Sequence, residues 1–291
     1  MTSFSESFAP FIYEGETYQT YYKVFGNLKG RSATPVVVLH GGPGLTHEYL
    51  VPHADLTARP RPVILYDQIG NGRSTHLPDK PPSFWTVDLF LDEFVNLLHH
   101  LGIGDDYHIV GHSWGGMMAS ELIIRRHPRG LRRFVVDGSP ADIAVWNRSF
   151  KELLDKFPQS VKDALAKGPA ADREAYVNAL MEVYAVHGCR LQPVPEEFVT
   201  TLLNKYGEHG DRTVDKATML KGWSIVDQLY TIDVPTLVIN GRYDIAQDYV
   251  VEPYHKEIPG ARWLRFENSS HTPFWEEREA YMSVVGDFLS K

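Results

Sequence analysis

The stretch Tyr107-His108-Ile109-Val110-Gly111-His112-Ser113-Trp114-Gly115-Gly116 decides the fold. Residues 107–110 read as the end of a buried strand, and residues 117–126 as an amphipathic helix. Between them, Gly111-x-Ser113-x-Gly115 is the pattern of a nucleophile elbow. The turn is so tight that a Cβ at either glycine would strike the neighbouring strand or helix. Ser113 is therefore expected in a strained backbone conformation, its hydroxyl proud of the sheet. A bare GxSxG arises by chance in about one chain in ten of this length. The flanking strand and helix are what give it meaning.

Apolar runs of the same kind recur at residues 36–39, 63–66, 134–136, 236–239 and 263–266, three of them just after a proline. Continuous apolar runs suit strands buried on both faces. Helical patterns at 86–101, 117–127 and 281–289 separate them, and residues 11–25 alternate aromatic with polar side chains as an opening antiparallel hairpin would. The expectation is an α/β fold, a mostly parallel central sheet with helices on both faces. From about Ala141 to Trp223 the alternation stops, and residues 143–157, 161–166, 171–187 and 196–206 all read as helix. This predicts a core at 1–140 and 224–291 with a helical cap at 141–223, roofing the edge where the strands end.

Composition narrows the function. The chain has 291 residues, 43% hydrophobic and 23% charged, with a formal charge of −8, which disfavours a polyanionic partner such as nucleic acid. No run approaches the roughly 20 apolar residues of a membrane helix, and no secretory leader is visible. Cys189 is the single cysteine, so no intrachain disulfide forms and a cytoplasmic setting is expected. The sequons at Asn147 and Asn268 read as chance matches.

A serine hydroxyl needs an adjacent base, itself oriented by a carboxylate. In such sheets the order is Ser, Asp or Glu, His. The strand at 236–239 leads into Asn240-Gly241-Arg242-Tyr243-Asp244, and the strand at 263–266 into Glu267-Asn268-Ser269-Ser270-His271. Position and residue type thus make Ser113, Asp244 and His271 the expected triad, with Asp137 and Asp248 as competitors for the acid. The developing oxyanion needs backbone N–H donors. One is expected from Trp114, after the nucleophile. The other is expected from Gly42 in His40-Gly41-Gly42-Pro43-Gly44, where glycines permit close approach. Asp67, in the Gly-rich turn 66–74, reads as structural.

Taken together, His40-Gly41-Gly42-Pro43-Gly44, Asp67-Gln68-x-Gly70-x-Gly72-x-Ser74 and Gly111-His112-Ser113-Trp114-Gly115-Gly116 resemble the proline iminopeptidase family of α/β-hydrolases. Tricorn-interacting aminopeptidases and L-amino acid amidases belong to the same group. The likeness runs along most of the chain, through Asp244, Ser270-His271 and Trp275-Glu276, but the cap matches poorly. It implies the α/β-hydrolase fold and an acyl-enzyme mechanism without metal or organic cofactor. It also implies release of an N-terminal residue, often proline, from a small peptide, amide or arylamide.

Selecting a free amino terminus requires buried acids to meet the ammonium. In many relatives one acid directly follows the catalytic aspartate; here that position is Ile245. A second comes from a cap segment shortly before a Gly-x-Leu-x-x-Trp stretch. Here Met219-Leu220-Lys221-Gly222-Trp223 corresponds to that stretch, and Glu208, the candidate amine contact, stands farther from Trp223 than the pattern puts it. Two alternatives stay open: an esterase or lactonase for a neutral small molecule, which Ile245 would suit, and a ligand-binding receptor on the same scaffold.

Overall fold

The structure, a computed structural model, describes residues 3–291. Eight strands form one sheet: β1 (Phe4–Tyr13), β2 (Glu16–Phe25), β3 (Val36–Leu39), β4 (Val63–Tyr66), β5 (Tyr107–His112), β6 (Leu131–Asp137), β7 (Thr236–Gly241) and β8 (Arg262–Phe266). Their order is β1-β2-β4-β3-β5-β6-β7-β8. The β1–β2 hairpin joins antiparallel, and every pairing from β4 to β8 is parallel. The hairpin begins earlier than the aromatic alternation suggested, because exposed Phe4 and Phe8 extend the outer strand.

Period-two alternation sorts each strand between two cores. Val37, Leu39, Ile109, Val136 and Val238 face one side, under α1 (Val87–His100) and α2 (Trp114–Arg126). Val36, Val38, Val110, Val135 and Ile239 face the other. Thr86 caps α1 by accepting the Leu89 N–H at 3.1 Å. Helix α2 begins three residues before its apolar pattern does, because Ser113 itself is the N-cap.

Between β6 and β7 lie α3 (Ile143–Leu154), α4 (Gln159–Lys167), α5 (Arg173–His187) and α6 (Glu196–Tyr206). The ends of this excursion meet in a single antiparallel bridge, Asp142 with Ser224. There Ile143 N–H donates to the Trp223 carbonyl at 3.0 Å and Ile225 N–H to that of Ala141 at 2.9 Å. Three helices follow: α7 (Asp248–Glu257), α8 (Pro273–Glu276) and α9 (Arg278–Leu289). Helix α7 was not anticipated, although Val250, Val251 and Tyr254 are buried at helical spacing. Pro253 within it disguised the pattern.

The parallel register brings the functional loops to one edge. Leu39 pairs with Gly111, His112 with Asp137, Asp137 with Ile239, and Gly241 with Phe266. The loops holding Gly42, Ser113, Asp244 and His271 all leave from this row. Behind it, buried Glu93 of α1 accepts the Thr20 hydroxyl at 2.6 Å and the Ile69 N–H at 2.9 Å, holding the loop after β4.

Two outcomes follow from this packing. Gly115→Ala drives a Cβ into the Leu39 carbonyl of β3. It is expected to cost about 1–3 kcal/mol as overpacking, read as a lower urea midpoint at constant m. Burial raises the Glu93 pKa from 4.5 to about 8. The folded chain therefore keeps a proton that the unfolded chain releases. This contribution is full below about pH 4.5 and is lost as pH climbs through about 8. Unfolding titrations should show Glu93→Gln losing less stability than the parent between those limits.

Candidate active site

Ser113 sits at φ 53°, ψ −121°, a region a non-glycine residue occupies only under constraint, at a cost of about 1–3 kcal/mol. The constraint is backbone against backbone. A Cβ on Gly111 would lie 2.6 Å from the Gly116 Cα. Two hydrogen bonds lock the turn: Ser113 N–H donates to the Asp137 carbonyl and Ser139 Oγ–H to the Ser113 carbonyl, each at 2.8 Å.

Past β7 the chain turns back, with Asp244 N–H donating to the Gly241 carbonyl at 3.2 Å. The Asp244 Oδ1 accepts the Ala246 N–H at 2.7 Å and His271 Nδ1–H at 2.6 Å. The carboxylate is thereby oriented by main chain before it orients the imidazole. Glu276 anchors the loop that delivers His271, accepting the Ser270 N–H at 2.8 Å and its hydroxyl at 2.9 Å.

The competing acids are engaged elsewhere. Asp137 is fully buried, accepts the Tyr281 hydroxyl at 2.8 Å, and burial holds its pKa well above the ordinary carboxylate value. Asp248 accepts from Asn240 Nδ2 at 3.0 Å and pairs with Arg265. Asp67 is structural, accepting the His47 N–H at 2.8 Å, His47 Nδ1–H at 2.9 Å and the Arg73 N–H at 3.0 Å.

Gly42 has φ 117°, and a Cβ there would lie 2.6 Å from the Gly44 nitrogen. Only glycine fits. The Gly41 N–H is taken by the Tyr49 hydroxyl at 2.7 Å. Among the described residues, neither the Gly42 nor the Trp114 N–H finds a protein acceptor. Trp114 is held by its indole, which donates to Gln68 Oε1 at 2.9 Å; Gln68 N–H in turn donates to His40 Nε2 at 3.1 Å.

A cavity of about 120 Å³ contains Ser113, His271 and Gly42 in its wall. Trp146 of α3, Tyr184 of α5 and Phe198, Lys205 and Tyr206 of α6 supply its roof, so three of the four inserted helices reach the site. Ile245 is in the wall. Glu208 is not: α6 ends at Tyr206, and the turn beyond carries Glu208 into a separate exposed depression beside His76. Its expected contact with a substrate amine therefore does not fit this arrangement. Sequence reasoning also missed Tyr49 and Lys205. Lys205 is a buried cation that donates to the Pro43 carbonyl at 2.7 Å and pairs with Asp215 at 2.7 Å. Its only sequence signal was a lysine on the apolar face of α6.

Residues 34–278 match the sequence profile of the alpha/beta hydrolase fold family. The proline iminopeptidase of Saccharolobus solfataricus is 34% identical over 281 residues, spanning 93% of this chain and 89% of that protein. Among solved structures, VinJ superposes with a TM-score of 0.88 at 41% identity, covering 98% of each chain. The proline iminopeptidase of Mycobacterium smegmatis superposes at 0.83 with 35% identity and the same coverage. Likeness of this depth, carried across nearly the whole length, means that the chain belongs to the proline iminopeptidase family of α/β-hydrolases and is a serine hydrolase.

Proposed function

We propose that Ser113 is the nucleophile, His271 its base and Asp244 the acid that orients the base, in an enzyme releasing a small acyl residue from an amide or short peptide. The observation that carries the reading is the 2.6 Å bond from His271 Nδ1 to a carboxylate fixed by backbone N–H groups, beside a strained serine. In this mechanism His271 Nε2 takes the Ser113 proton as Oγ attacks the carbonyl carbon. The N–H groups of Gly42 and Trp114 hold the oxyanion. The imidazolium then protonates the leaving amine, and water, deprotonated by His271, cleaves the acyl-enzyme.

The cavity bounds the acyl group. A void of about 150 Å³ accepts a benzene ring; at about 120 Å³ this one suits an acyl residue of prolyl size or a small branched chain. Residues 141–223 act as the cap that closes over it. A cytoplasmic setting belongs to the same reading, supported by a single thiol, Cys189, that is buried. No helix among the described residues is long and apolar enough to cross a membrane.

One observation favours a second reading, cleavage of a neutral ester or lactone. The cavity wall contains no Asp or Glu among the described residues, and its buried cation is Lys205. An ammonium seated there would lack a counter-charge, which is costly.

The assay compares kcat/KM for prolyl arylamide, its N-acetyl form and an aryl ester of the same acyl group. The iminopeptidase reading expects Ser113-dependent cleavage of the arylamide, with the free amine preferred by about a hundredfold, roughly 2.7 kcal/mol. Preference for the blocked or ester substrate selects the second reading. For the acid, Asp244→Asn should lower kcat by about 10⁴, since the imidazole would lose its orienting acceptor. Asp137→Asn should leave kcat within about threefold, because its side chain accepts from Tyr281 and not from the imidazole. Equal losses would overturn the assignment of Asp244.

A further inference from the structure

A second chain of buried hydrogen bonds crosses the site beneath the triad. Gly41 N–H donates to Tyr49 Oη at 2.7 Å, the Tyr49 hydroxyl donates to His112 Nδ1 at 2.7 Å, and His112 Nε2–H donates to the His271 carbonyl at 2.8 Å. The directions are forced. A carbonyl oxygen only accepts, so His112 carries its proton on Nε2. Burial, and then the neighbouring His271, keep the imidazole neutral, so Nδ1 accepts and Tyr49 donates to it. The Tyr49 oxygen is then free to accept from Gly41. No member has an alternative arrangement.

The three loops tied together are the ones the reaction needs in register. Gly41 precedes the oxyanion donor Gly42, His112 precedes Ser113, and the last acceptor is the main chain of His271 itself. Tyr49 and His112 are 1% and 2% exposed. Their rings pack at 5.3 Å, and Phe274 and Phe198 enclose Tyr49 at 6.0 and 6.4 Å. The tie passes close over Gly41, where a Cβ would approach both the Tyr49 hydroxyl and the Ser113 Cβ to 3.1 Å and press the neighbours aside by a few tenths of an ångström.

We propose that Tyr49 and His112 are a positioning pair, setting the oxyanion donor and the catalytic base at a fixed spacing on either side of Ser113. The inference rests on the triad and oxyanion roles proposed above. The pair exchanges no proton with substrate. It holds Gly42 N–H where the tetrahedral oxygen forms, so its contribution is felt in the transition state more than in substrate binding.

The test uses the full chain, p-nitrophenyl acetate as substrate and phenylboronic acid as a tetrahedral adduct former. Tyr49→Phe keeps the ring and deletes the hydroxyl. It is expected to lower kcat by about 30- to 100-fold and weaken boronate inhibition by a similar factor, with KM within about threefold. His112→Phe should match it, and the double variant should be no worse than either, because the two act as a unit. His112→Gln supplies one donor and one acceptor and should recover part of the loss. A wild-type kcat in Tyr49→Phe, a kcat loss without weaker boronate inhibition, or additive losses in the double variant would each overturn the inference. Ser113→Ala separates the two levels. If it still turns over the ester, the triad reading itself falls; if it is inert while Tyr49→Phe is unimpaired, only the positioning pair falls.

Discussion

At the elbow the contact is backbone against backbone: the start of α2 lies directly on the ends of β3 and β5, with Gly111 and Gly115 leaving no side chain between them. That contact is what holds Ser113 in a conformation it would otherwise abandon. A strain of about 1–3 kcal/mol persists only where surrounding structure over-determines it. Here the determination comes from both flanks, since Ser113 hydrogen-bonds to β6 while its helix is pressed onto β3. Two well-packed cores keep these elements from relaxing apart.

Around this contact the protein buries several histidines whose ring nitrogens have defined partners. His40, His53 and His112 are each fully or nearly fully buried, and burial pushes each toward the neutral form. A neutral imidazole has one donor and one acceptor, so in a dry interior it acts as a directional connector rather than a charge. His40 joins the glycine loop to Gln68, and His53 joins the segment after β3 to Tyr281. These neutral imidazoles stand beside the Asp244–His271 pair, while the buried cation of the cavity wall, Lys205, is met by Asp215.

What the sequence disclosed follows from the range of the forces involved. Strands buried on both faces announce themselves as apolar runs, and the elbow needs glycines at fixed local spacing, so the sheet and Ser113 could be read directly. The meeting of Asp244 and His271 at one edge was legible because each follows a strand closely. Tyr49 was not. Its partners lie eight residues upstream and 63 downstream, and nothing local marks a tyrosine in a 3-10 segment as the link between them. His112 was visible beside the nucleophile, but its bond to a carbonyl 159 residues away was not. For Glu208 the sequence showed a departure from the family's spacing but not its place: the turn after α6, not the count of residues, decides which surface the side chain meets.

The bridge at Asp142 and Ser224 gives the insertion a distinct status within the chain. Its entry and exit are held side by side, so to the sheet the whole excursion is equivalent to a short connection between β6 and β7. Trp146, Tyr184, Phe198, Lys205 and Tyr206 of the cavity wall come from this excursion, whereas Ser113, Asp244 and His271 sit on the other loops. The insertion is nonetheless tied to the other loops, Lys205 donating to the Pro43 carbonyl at 2.7 Å, His187 Nδ1–H to that of Tyr243 at 2.7 Å and the Thr272 hydroxyl to that of Gly188 at 2.9 Å. A change inside the excursion is therefore transmitted through those three bonds to the very loops that hold the strained serine's partners.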